Sequence, residues 1–268
     1  MSALLRWWMF ITVLIGCAVA GLSYPTLYGD TGLVLVPTAD IMPTGNFSLA
    51  VNVSREDLTS GTATVIPVRV TYGASDRTEF SLFFSEPTDK SEGGFDATGG
   101  GVKLSLLPEN VERRTPGIAV GGRIASLRDP VGYDVIEGYA VFSKALLQSG
   151  DLEDKGFVFR FHGGVSYIQY SGAVDAEFFS PFFGVSYASV EGNSLVIDYV
   201  PKQEKGITTY RESTISGALR RRLSPNFWIE LGSTKPFGQG GENSYYAGLL
   251  YHYGEIDRHA DDAKVLVF

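Results

Sequence analysis

Three histidines, His162, His252 and His259, and one cysteine, Cys17, bound the chemistry open to this chain of 268 residues. A histidine beside a serine at one membrane rim would suit a lipid- or glycan-modifying barrel enzyme, the imidazole taking the hydroxyl proton as the oxygen attacks. His162 with Ser166 and His252 with Ser244 have that composition. Neither pair lies in a Gly-x-Ser-x-Gly elbow, so a lumen-facing or interfacial histidine is the preferred reading. A single cysteine excludes an internal disulfide framework and a cysteine-built zinc site. Asp151, Glu153 and Asp154 cluster in a polar connection, where solvated charge is the default. Gly93-Gly94 and Gly99-Gly100-Gly101 lack the strand-to-helix spacing of a phosphate loop. No catalytic, cofactor-binding or metal-binding residue is assigned, and the chain is expected to be non-enzymatic, with no cofactor.

The basic residues carry more information. Lys103, Arg123, Arg160, Arg220 and Arg222 fall on the polar phase of alternating segments, opposed by Glu79, Asp198 and Glu230. An Arg or Lys facing lipid near the bilayer midplane costs roughly 2–4 kcal/mol, which places these side chains inside a barrel. There they would line a path for an anionic glycan or another anion, or form internal ion pairs that plug a closed barrel. Arg221 then points outward, and the short turn at Ser224-Pro225 lets it snorkel to the interface.

The elements that would hold these residues are strands. Asn46–Ser54 places Phe47, Leu49, Val51 and Val53 on one face and Asn46, Ser48, Asn52 and Ser54 on the other, a period of two. The pattern recurs in Val65–Tyr72, Glu79–Ser85, Gly101–Leu107, Ile118–Ala125, Val135–Leu146, Phe157–Tyr170, Phe179–Ala188, Leu195–Val200, Thr214–Leu223, Phe227–Ser233 and Tyr245–Tyr253, giving about twelve strands. The second half of the sixth, Val141–Leu147, also reads as a turn of helix. Connections 73–77, 190–193 and 223–226 are tight, while 86–98, 201–212 and 235–244 are long, the asymmetry of a transmembrane barrel with periplasmic short turns. Connections 107–116 and 148–155 are longer than that rule expects. A soluble β-sandwich would carry many Lys, Glu and Thr on its wet face; here the second face is mostly Gly, Ser and Ala. The apolar face is aromatic toward strand ends, at Phe179, Tyr187, Tyr199, Phe227, Tyr245 and Tyr253, as in the girdles at lipid interfaces. The fold class expected is all-β, a transmembrane antiparallel β-barrel.

Only 19% of the residues are charged while 13% are aromatic, which excludes a disordered or coiled-coil chain. A formal charge of −8, with no basic run longer than Arg220-Arg221-Arg222, excludes nucleic acid as a partner. Trp7–Ala20 is an apolar run of signal-peptide length behind Arg6, too short for a helical span. Two processing sites compete: Ala18-Val19-Ala20 before Gly21, and a lipobox-like Leu14-Ile15-Gly16 before Cys17, which would make Cys17 the acylated residue. The domain order is then a signal peptide at 1–20, a periplasmic lead-in or plug edge at 21–45, the barrel at 46–254, and a tail or last strand at 255–268. The terminal Val265-Leu266-Val267-Phe268 resembles the signal read by barrel-assembly machinery, an expected partner alongside outer-membrane lipid.

Gly32-Leu33-Val34-Leu35-Val36-Pro37-Thr38-Ala39-Asp40, followed by Met42-Pro43-Thr44-Gly45, resembles the opening of the YjbH family. Segments 117–123, 137–144, 181–185 and 245–251 look similar in order, so the likeness runs over nearly the whole mature chain as a short, single-barrel form. The resemblance implies a Gram-negative outer-membrane barrel associated with exopolysaccharide biosynthesis and export, with an anionic polysaccharide and other proteins of that system as partners. The expected function is non-catalytic assistance to exopolysaccharide secretion or surface assembly. A general porin or structural outer-membrane protein is the alternative, and a lipid- or glycan-modifying barrel enzyme the second.

Overall fold

The computed structural model describes residues 25–58, 61–88, 96–110, 114–128, 132–149, 157–172, 175–189, 192–205, 208–237 and 243–254. The expected signal peptide with Cys17, the carboxylates Asp151, Glu153 and Asp154, His259 and the expected tail or last strand at 255–268 lie outside them.

Twelve strands close in sequence order into one antiparallel barrel. They are β1 (Phe47–Leu58), β2 (Gly61–Ser75), β3 (Thr78–Pro87), β4 (Ala97–Leu107), β5 (Gly117–Leu127), β6 (Tyr133–Ser149), β7 (Phe157–Gly172), β8 (Ala176–Ser189), β9 (Asn193–Val200), β12 (Thr214–Ser224), β13 (Phe227–Pro236) and β14 (Ser244–Tyr253). β14 pairs back onto β1 from Phe47↔Tyr253 to Glu56↔Ser244, so the ladder has no free edge. Each alternating segment read from the sequence lies in one of these strands, and the doubtful half of the sixth is strand throughout. The 201–212 connection carries an unexpected separate hairpin, β10 (Gln203–Lys205) with β11 (Thr208–Arg211).

Burial runs opposite to that of a soluble protein. Along β3, Phe80, Leu82 and Phe84 are about half exposed, at 51%, 52% and 50%, while Glu79 and Ser81 between them are buried. The same inversion holds around the wall: Val51, Val102, Ile124, Ile136, Val165, Ile197, Leu219, Leu231 and Leu249 face out. A belt of this kind is stable only against lipid, and a closed ladder lets a sheet enter lipid with its backbone satisfied. Prolines sit where the ladder allows them. Pro67 falls in a gap of the β1–β2 pairing, and Pro181 lies beyond the stretch of β8 that pairs β9.

With an even number of strands, the chain enters at Asn46 and leaves at Gly254 on the same end of the barrel. The two-residue turns 76–77 and 225–226 lie at that end, and at the other end β1 and β2 are likewise separated by only two residues. The longer connections from β4 to β5 and from β6 to β7 also fall on this side, so short and long connections occur at both ends of the barrel.

Residues 25–42 run inside the barrel, and Pro43–Gly45 turn at its rim. Thr26, Thr31, Leu33, Val34, Val36 and Met42 are all but inaccessible. The segment folds as nested turns, with antiparallel bridges Pro25↔Thr31 and Gly32↔Pro37. Gly32 is required by packing: a Cβ there would collide with Thr26, Val36 O and Pro37. The tip Leu33–Val36 packs into apolar wall residues including Phe182, Val196, Val200, Ala218 and Tyr246. The periplasmic lead-in expected at 21–45 is thus corrected for residues 25–42, which form an internal plug joined to β1 by the turn Pro43–Gly45. The apolar Leu-Val-Leu-Val run leaves water only by entering the lumen.

Candidate functional site

The site is the part of the lumen where wall and plug meet. Alternation of side chains along each strand points every second residue inward, so nine of the twelve wall strands deliver one to three of the polar groups that gather here. β2 supplies Arg69, β3 Glu79, β4 Lys103, β5 Arg123, β6 Glu137, Tyr139 and Ser143, β7 Arg160 and His162, β9 Asp198, β12 Arg220 and β13 Glu230, most of them buried.

Three wall clusters hold the plug. In the first, Asp198 Oδ2 accepts the backbone N–H groups of Val34, Leu35 and Val36 at 2.9, 2.7 and 3.2 Å. Arg220 donates to the carbonyls of Leu33 at 2.6 Å and Gly32 at 3.4 Å, and to Glu230 at 2.8 Å. One turn of chain is therefore gripped by its donors and its acceptors at once. In the second, Glu79 accepts the Thr31 and Met42 N–H groups at 2.8 and 2.9 Å. Lys103 lies 3.0 Å from Glu79 and donates to the Thr31 carbonyl at 2.8 Å and that of Thr38 at 3.2 Å. In the third, plug carboxylates meet wall arginines. Arg160 donates to both oxygens of Asp40 at 2.8 Å, a bidentate fork, and to Glu109 at 2.5 Å. Arg123 pairs with Glu137 at 2.7 Å and Asp30 at 3.4 Å, while its guanidinium lies 4.1 Å from the Tyr28 ring centre. Tyr139 donates to Asp30 at 2.7 Å.

Four of the five basic residues singled out from the sequence, Lys103, Arg123, Arg160 and Arg220, are brought together here. Each is bonded to a carboxylate or to plug backbone, so they form a closed ion-pair lattice and not an open basic track. Arg222 stands apart: it is half-buried beside the 225–226 turn, 5.9 Å from the Trp228 ring centre, and donates to Ser224 O at 3.3 Å. Arg69 was missed, although Val68, Val70 and Tyr72 around it mark its inward phase by the rule that found the others. It donates to the carbonyls of Pro25 and Thr26 at 3.1 and 3.0 Å, and pairs with Glu230 at 3.4 Å. Asp30 and Asp40 had no strand phase to reveal them.

The His–Ser pairs do not form. His162 is buried between Ser143 and Ser186, 2.8 and 2.9 Å from its two nitrogens, and not against Ser166. Ser143 Oγ also accepts the Ala39 N–H at 2.8 Å, so this histidine braces the plug. His252 and Ser244 sit eight residues apart on β14, roughly 26 Å at strand rise. Among the described residues no group of three His, Cys, Asp or Glu gathers to hold a metal.

No family model and no curated protein matches the chain. Solved structures do. The barrel is similar to the KdgM porin in complex with disordered oligogalacturonate, at 11% identity and a TM-score of 0.53, over 77% of this chain and 99% of that one. It is similar also to the NanC porin, at 12% identity and a TM-score of 0.52, over 76% and 98%. At such identities the likeness establishes fold alone: this is a porin-like outer-membrane β-barrel. The lipid-facing belt agrees with that setting and seats the chain in the outer membrane.

Proposed function

We propose that this protein is a porin-like channel of the outer membrane for an anionic saccharide, held shut by its own N-terminal segment, and that it serves exopolysaccharide export without catalysis. The observation that carries this reading is the pairing of Arg123 and Arg160 on the wall with Asp30 and Asp40 on a segment joined to β1 through the exposed turn Pro43–Gly45. Withdrawal of the segment leaves Arg123 on Glu137 and Arg160 on Glu109, and frees the N–H donors that Asp30 and Asp40 had taken to meet another carboxylate. The oligogalacturonate in the KdgM complex supports an acidic sugar as the cargo class, and the YjbH-like opening motif supports the exopolysaccharide setting.

The test is planar-bilayer recording from the full chain and from Asp30→Asn with Asp40→Asn. The native protein is expected to be closed for most of the record, and the double variant to show long anion-preferring openings that oligogalacturonate blocks. Silence from a correctly folded double variant would remove the channel reading. A second reading, a permanently filled scaffold for polysaccharide assembly, is favoured by the extent of plug–wall bonding. It is separated from the first by a deletion strain that loses exopolysaccharide while every plug variant stays silent.

A further inference from the structure

The wall treats the plug as a bound peptide. Most of their polar contacts go to plug main chain: Asp198 takes three successive N–H groups, Arg220 two carbonyls, Glu79 two N–H groups, and Ser143 one. The tip adds an apolar anchor in a socket with Phe182 and Val196. Buried apolar anchors ringed by satisfied polar contacts are how binding energy concentrates at an interface. The wall's own ladder, for its part, closes strand to strand without any residue before Phe47.

The link between the two is a single exposed turn. Pro43, Thr44 and Gly45 are exposed, and Gly45 has φ +78°, a conformation that glycine adopts without strain. The turn is pinned to the rim by Gly45 N–H to Gly73 O at 2.8 Å and Asn46 N–H to Pro43 O at 3.0 Å. Chain on the barrel side of Gly45 is wall; chain on the other side is ligand.

We propose that the inner face of β8, β9 and β12 is a peptide-binding site that reads backbone, and that residues 25–44 are its exchangeable ligand, able to leave and to be replaced by the same sequence supplied in trans. This does not depend on what, if anything, the barrel conducts. The experiment uses the full chain with a protease site inserted between Thr44 and Gly45, cut after refolding, with a fluorescent peptide of residues 25–44 as the probe. The cut barrel is expected to keep its heat-modifiable gel mobility and to take up the peptide saturably. All substitutions are placed in the peptide, so the barrel is never altered. N-methylation at Leu35 removes the N–H that Asp198 accepts at 2.7 Å and is expected to weaken binding about tenfold or more; N-methylation at exposed Thr44 is expected to leave it unchanged. Loss of barrel mobility on cutting would overturn the proposal, as would a segment that never exchanges, or uptake indifferent to the Leu35 modification.

Discussion

Substitution of Asp40 by Asn probes the strongest charged contact between plug and wall. Asp40 and Arg160 are joined by two bonds of 2.8 Å with side chains 15% and 7% exposed. Breaking a buried pair by removing one charge costs about 3–5 kcal/mol when the survivor is left alone. Here Arg160 keeps Glu109 at 2.5 Å, and Asn still offers one acceptor, which lowers the expected cost to roughly 2–3 kcal/mol. At 1.4 kcal/mol per decade, that is about 30- to 140-fold in the ratio of released to docked segment. Native-state hydrogen exchange reads that ratio directly. The Ala39 and Met42 amides, bonded to Ser143 and Glu79, are expected to exchange faster by that factor, while amides in the β6–β7 ladder keep their rates. Equal acceleration of plug and ladder amides would show that the segment opens only with the whole barrel, and unchanged Ala39 and Met42 rates would show that the pair contributes nothing to docking. Either result refutes the reasoning.

Three further outcomes are expected. Gly184→Ala would drive a Cβ into the Leu33 side chain, so it should release the plug, whereas Gly184→Ala with Leu33→Ala should restore much of the docking; the exchange rate of the Leu35 amide measures both. Val165→Arg puts a charge at the middle of β7 on the lipid face, where Val165 is 44% exposed, and should cost about 2–4 kcal/mol in reversible folding into lipid vesicles, against little effect for the same change at rim-proximal Leu223. Acid should also free the plug. Burial opposes the charge on Asp40, but Arg160 beside it prevails and holds the carboxyl below the ordinary aspartate range. A depressed carboxyl contributes docking free energy that is intact above the unperturbed pKa and lost as pH falls through the depressed one. Plug exchange should therefore be flat from neutral to mildly acidic pH and rise only in stronger acid, and Asp40→Asn should remove Asp40's share of that rise.

The barrel was legible in the residues because lipid and lumen impose opposite solvents on alternate positions. Phe80-Ser81-Leu82 and Tyr245-Tyr246-Ala247 carry that alternation in the chain itself, and the penalty for a charge in lipid assigns Lys103, Arg160 and Arg220 to the inside without any coordinates. Strand number followed from the same period. What the charges do inside was not legible. Side-chain phase says which way Arg160 points, not that Asp40 lies at the end of it 120 residues away in sequence. The His162–Ser166 and His252–Ser244 pairs failed for the same reason, since proximity along one strand is not proximity of side chains.

Local rules thus decided everything that depends on a residue and its solvent: the strands, their faces and the inward set of basic groups. Tertiary structure alone decided the fate of residues 25–45. Their glycines and prolines exclude a ladder position and their apolar run excludes water, but only the closed wall presents Asp198, Arg220, Glu79 and Lys103 at the positions where that chain's own N–H and C=O groups can be satisfied.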